Sequence, residues 1–433
     1  MVKFSSTTAI AIVIANMIGT GVFTSLGFQL MDVQSGSAIL LLWVIGGIAA
    51  LCGALTYAEL GSQLPRSGGE YNFLGRLYHP AMGFVSGWIS ITIGFAAPIA
   101  LAAMTFAAYL GSAFEGLSRE MLAVGLILSL TVLHGVTRSL SGGTQVVFTA
   151  LKVALVLGFS AAALTIGATR PIDFSFGETE IAYLGSGAFA VSLIYVNYAY
   201  TGWNAATYLI DEVDEPARNL PKILIAGTGL VTLSYVLLNY VFLSVAPIEA
   251  MQGKIEIGMI AADYAFGEAG GRAMGITLSL LLISTVSAML MAGPRVLQVI
   301  GQDFHLFRWL AKTNRDGIPM TAIWAVALLS VALVLSSSFE SVLVFSGFIL
   351  ALNTFFAVGG IFVLRARQKR DGTPLDGYRT WGYPLTPLLY LALTGWTLVF
   401  IFIERPVEAL AAVLMIAAGL GLYWFSERKG GVS

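Results

Sequence analysis

Twelve runs of mostly apolar residues follow one another along the chain, and the short stretches between them carry nearly all of its charge. A helix that crosses a bilayer needs about 20 mostly apolar residues, and these runs meet that requirement. We number them as predicted spans 1 to 12, over residues 7–30, 38–60, 82–111, 121–138, 145–167, 181–210, 221–245, 272–299, 319–336, 340–364, 383–403 and 407–425. No linker or low-complexity tract divides them. The sequence therefore predicts an all-α membrane protein with 12 transmembrane helices in a single membrane domain, 1–433.

The overall composition agrees with this prediction. Of the 433 residues, 57% are hydrophobic and 11% are charged, whereas soluble domains carry about a quarter charged residues. The net charge of −1 gives no reason to expect nucleic acid as a partner. The single cysteine, Cys52, lies inside span 2, which excludes a disulfide framework.

The distribution of Lys and Arg orients the spans. If the N-terminus is cytoplasmic, 17 of the 23 basic residues fall on the cytoplasmic side, 5 fall on the other side, and Lys152 lies within span 5. Cytoplasmic loops of membrane proteins carry such an excess. A signal peptide is the alternative interpretation of the N-terminus, but span 1 is too long for its apolar core and no small-residue cleavage site follows. We expect a multi-pass protein of the inner (cytoplasmic) membrane with both termini in the cytoplasm.

Spans 1 and 6 are interrupted at comparable depths. Span 1 contains the run Ile18-Gly19-Thr20-Gly21, and each glycine weakens a helix by roughly 1 kcal/mol relative to alanine. Span 6 contains the run from Tyr198 to Asn204. Close packing through small residues is one explanation of the glycines. Paired interruptions in two halves of opposite orientation instead indicate the binding site of an inverted-repeat transporter.

An unwound helix offers both signs of partial charge to a ligand. The half that begins near Val22 has free N–H groups and the positive end of a helix dipole, which suit a carboxylate. The half that ends near Met17 has free carbonyls, which suit an ammonium group. Within hydrocarbon these groups need partners, and glycine allows a ligand to approach the backbone closely. The pattern predicts a site for an amino acid zwitterion.

These residues resemble the amino acid–polyamine–organocation (APC) superfamily, particularly its neutral amino acid permeases and L-type transporters. Four ordered signatures carry the resemblance: Ile18-Gly19-Thr20-Gly21-Val22-Phe23; Tyr57-Ala58-Glu59-Leu60 with Leu64-Pro65-Arg66-Ser67-Gly68-Gly69-Glu70-Tyr71; Tyr198-Ala199-Tyr200-Thr201-Gly202-Trp203-Asn204 with Glu212 and the run from Glu215 to Pro221; and Lys152. The resemblance implies the LeuT-type fold. Residues 7–167 and 181–364 would be its inverted repeats, with broken helices 1 and 6, and residues 383–425 would add two peripheral helices.

The resemblance also implies a set of site residues. The substrate-binding residues would be Met17, Ile18, Gly19, Thr20, Gly21, Tyr198, Ala199, Tyr200 and Thr201. Residues 19–21 would contact the substrate carboxylate, and the carbonyls of Met17, Tyr198 and Thr201 would contact its ammonium group. Many relatives have glycine or serine where this chain has Thr201. Tyr198 and Trp203 would act as gates, although ordinary aromatic packing is the other interpretation of both.

Lys152 is the one charged residue well inside a predicted span, about 10 Å from the cytoplasmic end at 1.5 Å per residue. Its stem could carry the ammonium back to the interface. The resemblance instead places the ammonium where sodium-coupled members of the fold hold a cation, in reach of carbonyls of span 1 and of Ser284 or Thr285. Transport would then be sodium-independent. Lys152 would either release and regain a proton during the transport cycle, which would couple transport to pH, or stay charged throughout and have a structural role in an amino acid exchanger.

Other function classes lack their signals in the sequence. There is no paired carboxylate at depth and no nucleophile–base set, so an enzyme is not expected, and no cofactor is implied. The three histidines, His79, His134 and His305, lack the spacing of metal ligands. No Asp or Glu lies mid-span, which favours neutral over cationic substrates. By the resemblance, relatives that are bonded to an ancillary glycoprotein carry a cysteine in the outer loop after span 3; the loop 112–120 has none here, so no disulfide-linked ancillary subunit is expected. A membrane amino acid sensor on the same fold is the alternative to a transporter.

Overall fold

The computed structural model describes residues 5–114, 116–136, 142–167, 169–172, 174, 177–315, 317–372 and 377–430, without the side chains of 142–145, 209, 211 and 427–430. These residues form helices joined by loops, and no strand occurs among them. The helices are α1 (Ser6–Met17), α2 (Thr20–Asp32), α3 (Gly36–Gln63), α4 (Glu70–Leu77), α5 (Pro80–Ile89), α6 (Ala96–Ala113), α7 (Arg119–Val136), α8 (Gly142–Ile166), α9 (Glu178–Leu184), α10 (Gly187–Tyr200), α11 (Pro216–Val245), α12 (Ile248–Met251), α13 (Ile257–Phe266), α14 (Glu268–Asp303), α15 (Met320–Ser336), α16 (Phe339–Asp371), α17 (Leu385–Glu404) and α18 (Pro406–Gly430). Three short segments of other helical type are Ser90–Gly94, Ala205–Glu212 and His305–Ala311.

Most of these helices are long and apolar enough to cross a membrane. Within the described part of the chain ten spans meet both criteria, with α1 and α2 counted together, and an eleventh results if the bent pair α9 and α10 is one span. That pair bends by 65° at its break. Helix α15 has 17 residues, one fewer than the 18 required of a candidate span. The chain is an all-helical, multi-pass membrane protein. Arg138, one of the 17 basic residues assigned to the cytoplasmic side, lies outside the described residues.

Span 1 consists of two helices separated by two residues. Helix α1 ends at Met17, and α2 begins at Thr20. Between them Gly19 has φ −131° and ψ −145°, so the chain leaves the helical conformation. The four N–H groups that begin α2 therefore have no acceptor within that helix.

Span 6 is interrupted at the matching place. Helix α10 ends at Tyr200, Gly202 has φ 102°, and a 3-10 segment resumes at Ala205. A positive φ favours glycine, and a β-carbon on Gly202 would also lie 2.8 Å from the backbone of Asn16 in α1. The two interruptions are thus neighbours in space.

Contacts between α2 and α10 hold the two interrupted spans together. Gly21 lies against Ala199 so closely that a β-carbon on Gly21 would overlap the Ala199 backbone. Further along, Ser25 Oγ donates to the Tyr195 carbonyl at 3.2 Å, and Gln29 Nε2 donates to the Ser192 carbonyl at 3.2 Å. These contacts fix the relative depth of the two breaks.

Side chains close the structure at the end where α2 terminates. Tyr195 donates to Glu340 Oε1 at 2.8 Å, and Arg405 pairs with the same carboxylate. Phe28 stacks on Phe339 with ring centroids 5.5 Å apart. This cluster links α10, α16 and the loop before α18 on the side that the sequence predicts to be extracellular.

Candidate functional site: a cavity between two broken helices

A cavity of about 650 Å³ lies between the two interrupted spans, and its size is within the range of small-molecule sites. The predicted site residues that line it are Met17, Gly19, Thr20, Gly21, Tyr198, Ala199, Tyr200, Thr201, Trp203 and Thr285. Three predicted residues do not line it. Ile18, Lys152 and Ser284 lie behind its wall, each less than 9% exposed.

The cavity continues from the breaks to the predicted cytoplasmic end. There its lining includes Thr8 at the start of α1, Ser67 in the loop after α3, and Glu212 and Arg295. Near this mouth Arg66 pairs with Asp303 at 2.7 Å. The cavity therefore opens towards the side that the distribution of Lys and Arg assigns to the cytoplasm.

The two sides of the break in span 1 differ in their hydrogen bonding. The N–H groups of Thr20 and Gly21, at the positive end of the α2 dipole, face no acceptor within their helix. The Met17 carbonyl, in contrast, accepts the Gly19 N–H at 2.8 Å and the Tyr235 hydroxyl. The predicted carboxylate donors thus lie on the cavity wall, whereas the predicted ammonium acceptor already has two donors in this conformation.

At the break in span 6, the carbonyl predicted to bind an ammonium group is likewise already hydrogen-bonded within the protein. The Tyr198 carbonyl accepts the Thr201 N–H at 3.0 Å and the Thr201 hydroxyl at 2.7 Å. A glycine at 201 could not supply the second bond. The Thr201 side chain therefore competes for the carbonyl that is expected to bind an ammonium group.

Tyr235, in the middle of α11, is a residue that the sequence reasoning missed. Its hydroxyl donates to the Met17 carbonyl and also lies 3.1 Å from the Ala199 carbonyl. One side chain thereby bridges the two interrupted spans. The available signal was a hydroxyl in the centre of an apolar span, but its two acceptors are 218 and 36 residues away in the chain.

The predicted gates lie within an aromatic layer. Tyr198 and Trp203 are each 5% exposed. Trp203 packs edge-on against Tyr57, with ring centroids 4.7 Å apart, and is 6.3 Å from Tyr390. Both predicted gates are in contact with the cavity, and their function as gates remains a prediction.

Lys152 is buried behind the cavity wall. Its side chain is 3% exposed, and Nζ donates to Thr285 Oγ1 at 2.9 Å. This position favours the interior placement over the interfacial one. Two expected partners are absent in this conformation: Ser284 donates instead to the Leu281 carbonyl at 2.6 Å, and no carbonyl of span 1 is among the described acceptors of Lys152. The hydrogen bond to Thr285, which lines the cavity, joins Lys152 to the cavity wall.

Glu70 is the second residue that the sequence reasoning missed. Left-handed backbone at Gly68 (φ 121°) and Gly69 (φ 54°) turns the chain so that α4 begins at Glu70, 4% exposed and on the cavity wall. Its carboxylate accepts hydrogen bonds from Tyr57 (2.8 Å), Tyr208 (2.8 Å) and Asn204. The glycine pair was the available signal, but the donors come from α3 and span 6.

Within the described part of the chain no group of His, Cys, Asp and Glu could hold a metal ion. His134 is buried and hydrogen-bonded to Ser287 at 2.8 Å. The described lining of the cavity offers backbone groups, hydroxyls, the amides of four asparagines, the carboxylates of Glu70 and Glu212, and the guanidinium of Arg295.

Comparison with known proteins agrees with this geometry. The family model described as amino acid permease matches residues 4–425. The human b(0,+)-type amino acid transporter 1 is 26% identical over 427 residues, covering 96% of this chain and 86% of the relative. The mouse Asc-type amino acid transporter 1 and the mouse large neutral amino acids transporter small subunit 2 are each 27% identical, covering 97% of this chain and 81% of each relative. These relatives are transporters and not enzymes. Because the family model covers nearly the whole length, the chain belongs to the amino acid permease family.

Proposed function

We propose that the chain carries neutral amino acids across the cytoplasmic membrane by alternating access, as a sodium-independent secondary transporter. The observation that carries the proposal is the pair of helix breaks, in spans 1 and 6, that face one cavity. In this proposal α9 and α10 form one span and α15 forms another, which gives twelve. Residues 7–167 and 181–364 are the inverted repeats of a LeuT-type fold, and residues 383–425 are peripheral.

The substrate would bind across the two breaks. Its carboxylate accepts from the N–H groups of Thr20 and Gly21, where the α2 dipole favours negative charge. Its ammonium replaces the hydroxyls of Tyr235 and Thr201 at the Met17 and Tyr198 carbonyls. A charge-assisted bond is roughly twice as strong as a neutral one, which supports this replacement.

Two observations support a neutral side chain. The described residues of α1, α2 and α10 that line the cavity include no Asp or Glu, and the lining carboxylate nearest to a break, Glu70, already accepts hydrogen bonds from Tyr57, Tyr208 and Asn204. An unpaired cationic side chain between the breaks would be costly to bury. The name of one relative, a large neutral amino acids transporter, agrees with this substrate class.

The same relative is named a small subunit, which describes an assembly of that protein. For this chain we propose activity without a disulfide-linked partner. Residues 112–120 contain no cysteine, and the single Cys52 is buried in α3. Both termini would lie in the cytoplasm, as the distribution of Lys and Arg indicates.

Counterflow in proteoliposomes tests the proposal. Vesicles loaded with unlabelled leucine, alanine or serine should accumulate the same labelled amino acid, and replacing sodium with choline should not change the rate. Unlabelled arginine, lysine and putrescine should compete weakly. Strong competition by these cations would show that the neutral assignment is wrong. Ligand binding without counterflow would identify a membrane sensor, the alternative function on this fold.

A further inference from the structure

Glu70 is a buried carboxylate that has only neutral partners. Within the described part of the chain no Lys, Arg or His nitrogen lies within 4.0 Å of a carboxylate oxygen of Glu70. Buried carboxylates are usually paired with a cation. The phenols of Tyr57 and Tyr208 and the amide of Asn204 donate hydrogen bonds to the Glu70 carboxylate, and none of these groups carries a compensating positive charge.

The Glu70 carboxylate can accept one more hydrogen bond besides those from Tyr57, Tyr208 and Asn204. A carboxylate has about four lone-pair positions that can accept hydrogen bonds. Three are used by protein groups, and the Glu70 side chain borders the cavity. A cationic donor that enters from the cavity can therefore reach an acceptor without displacing Tyr57, Tyr208 or Asn204.

In the conformation in which Glu70 lines the cavity, the backbone carbonyls expected to bind an ammonium group are already hydrogen-bonded within the protein. The Met17 and Tyr198 carbonyls each accept two internal hydrogen bonds in this conformation. The same cavity offers a guanidinium at Arg295, which forms no ion pair with any described carboxylate. Glu70 and Arg295 are thus groups of opposite charge in the lining of one cavity, and neither forms an ion pair with a described residue.

We propose that Glu70 binds the ammonium group of the amino acid at a second station, between the helix breaks and the cytoplasmic mouth. This inference rests on the proposed function and adds a step to it. An amino acid leaving the breaks passes its ammonium from backbone carbonyls to the Glu70 carboxylate before it reaches water. The station acts on the cytoplasmic half of the cycle and not on binding from the opposite side.

Sided kinetics with Glu70→Gln tests the station. Labelled alanine and leucine are the probes, and transport is measured in right-side-out and everted membrane vesicles. The amide keeps the size of the side chain and removes the charge. Since a hydrogen bond to a charged group is worth about 1.5–3 kcal/mol, the KM from the cytoplasmic side should rise about tenfold or more, while the KM from the other side stays unchanged. The control Asp371→Asn removes an exposed carboxylate that does not line the cavity and should change neither value.

A measurement on the unmodified protein covers the case in which Glu70→Gln fails to fold. Alaninol keeps the ammonium and lacks the carboxylate, whereas N-acetylalanine keeps only the carboxylate. From the cytoplasmic side alaninol should inhibit transport and N-acetylalanine should not. Absence of alaninol inhibition, an unchanged cytoplasmic KM for Glu70→Gln, or an equal rise for Asp371→Asn would each overturn the station. Because the unmodified protein would still carry alanine and leucine in those cases, the proposed function would stand. Failure of the unmodified protein to carry any amino acid would refute the proposed function and the station with it.

Discussion

At the scale of single residues, two glycines of span 1 that look equivalent in the sequence have different environments. A β-carbon on Gly19 would lie 3.7 Å from Thr285 Cγ2, an ordinary contact, whereas one on Gly21 would overlap the backbone of Ala199. Gly21 is therefore a packing residue as well as a lining residue. The sequence had posed these two interpretations as alternatives, and the geometry gives Gly21 both properties.

This difference leads to a matched comparison. Gly21→Ala should lower stability by about 1–3 kcal/mol, since overpacking displaces backbone, and should reduce uptake. Gly19→Ala should leave the protein as stable as the unmodified form. Thermal unfolding in detergent and alanine uptake measure both effects. Equal unfolding temperatures for the two variants would contradict the packing assignment of Gly21.

Lys152 leads to a second comparison at this scale. Its ammonium is hydrogen-bonded to Thr285, a lining residue, so Lys152→Ala should impair transport. The variant should remain folded, because a buried lysine costs a membrane protein about 2.5–3.5 kcal/mol on insertion scales and its loss removes that cost. Ser284→Ala is the control, since Ser284 bonds its own helix, and it should transport normally. Sodium-stimulated uptake by the unmodified protein, or full activity of Lys152→Ala, would show that Lys152 has no part in ion coupling.

At the scale of helices, a buried ion pair ties α16 and the loop before α17 to α3. Glu59 is fully buried and accepts two bonds from Arg365, at 2.9 and 2.8 Å, and one from the Thr380 N–H at 2.6 Å. The Arg365 guanidinium also lies 3.6 Å from the centre of the Tyr383 ring. The pair therefore joins helices that do not carry the breaks.

Breaking this pair should destabilise the protein measurably. Glu59→Gln leaves the half-buried Arg365 without its counter-charge, and loss of one partner of a buried pair costs about 3–5 kcal/mol. Arg370→Gln is the control, because its pair with Asp371 is largely exposed and such pairs contribute about 0–1 kcal/mol. The unfolding temperature in detergent should fall for the first variant and stay within error for the second. A similar fall in unfolding temperature for both variants would show that the buried pair contributes no more to stability than the exposed one.

The helices also show which parts of the fold the sequence predicts. Apolar runs and the glycines of spans 1 and 6 predict the long helices and the places where two of them end, because span length and helix breaking depend on local residues. Short helices such as α4 and α13, and the 65° bend between α9 and α10, leave weaker local signals. The partners of Tyr235 and Glu70 come from segments distant in the chain. No single-sequence pattern encodes such partners.

At the scale of the whole molecule, the described residues form one closed and one open end. The cluster of Tyr195, Glu340, Arg405, Phe28 and Phe339 seals the predicted outer end, and the cavity opens at the other. A transport cycle requires the reverse arrangement as well. Since α10 is bonded both to the outer cluster and to α2, opening the outer end must move the two interrupted spans together.

The bridge made by Tyr235 has a consequence for the kinetics of that cycle. The single O–H of this phenol lies within hydrogen-bonding distance of a carbonyl on each interrupted span, so one side chain of the protein can occupy the position between them. Under the proposed function, we expect this contact to lower the barrier of the return step, in which the carrier crosses back without substrate. The binding site alone then does not enforce one-for-one exchange of substrates. Such a carrier could also perform net uptake, and an obligatory coupling to an ion would have to come from another residue, for which the buried Lys152 is the candidate.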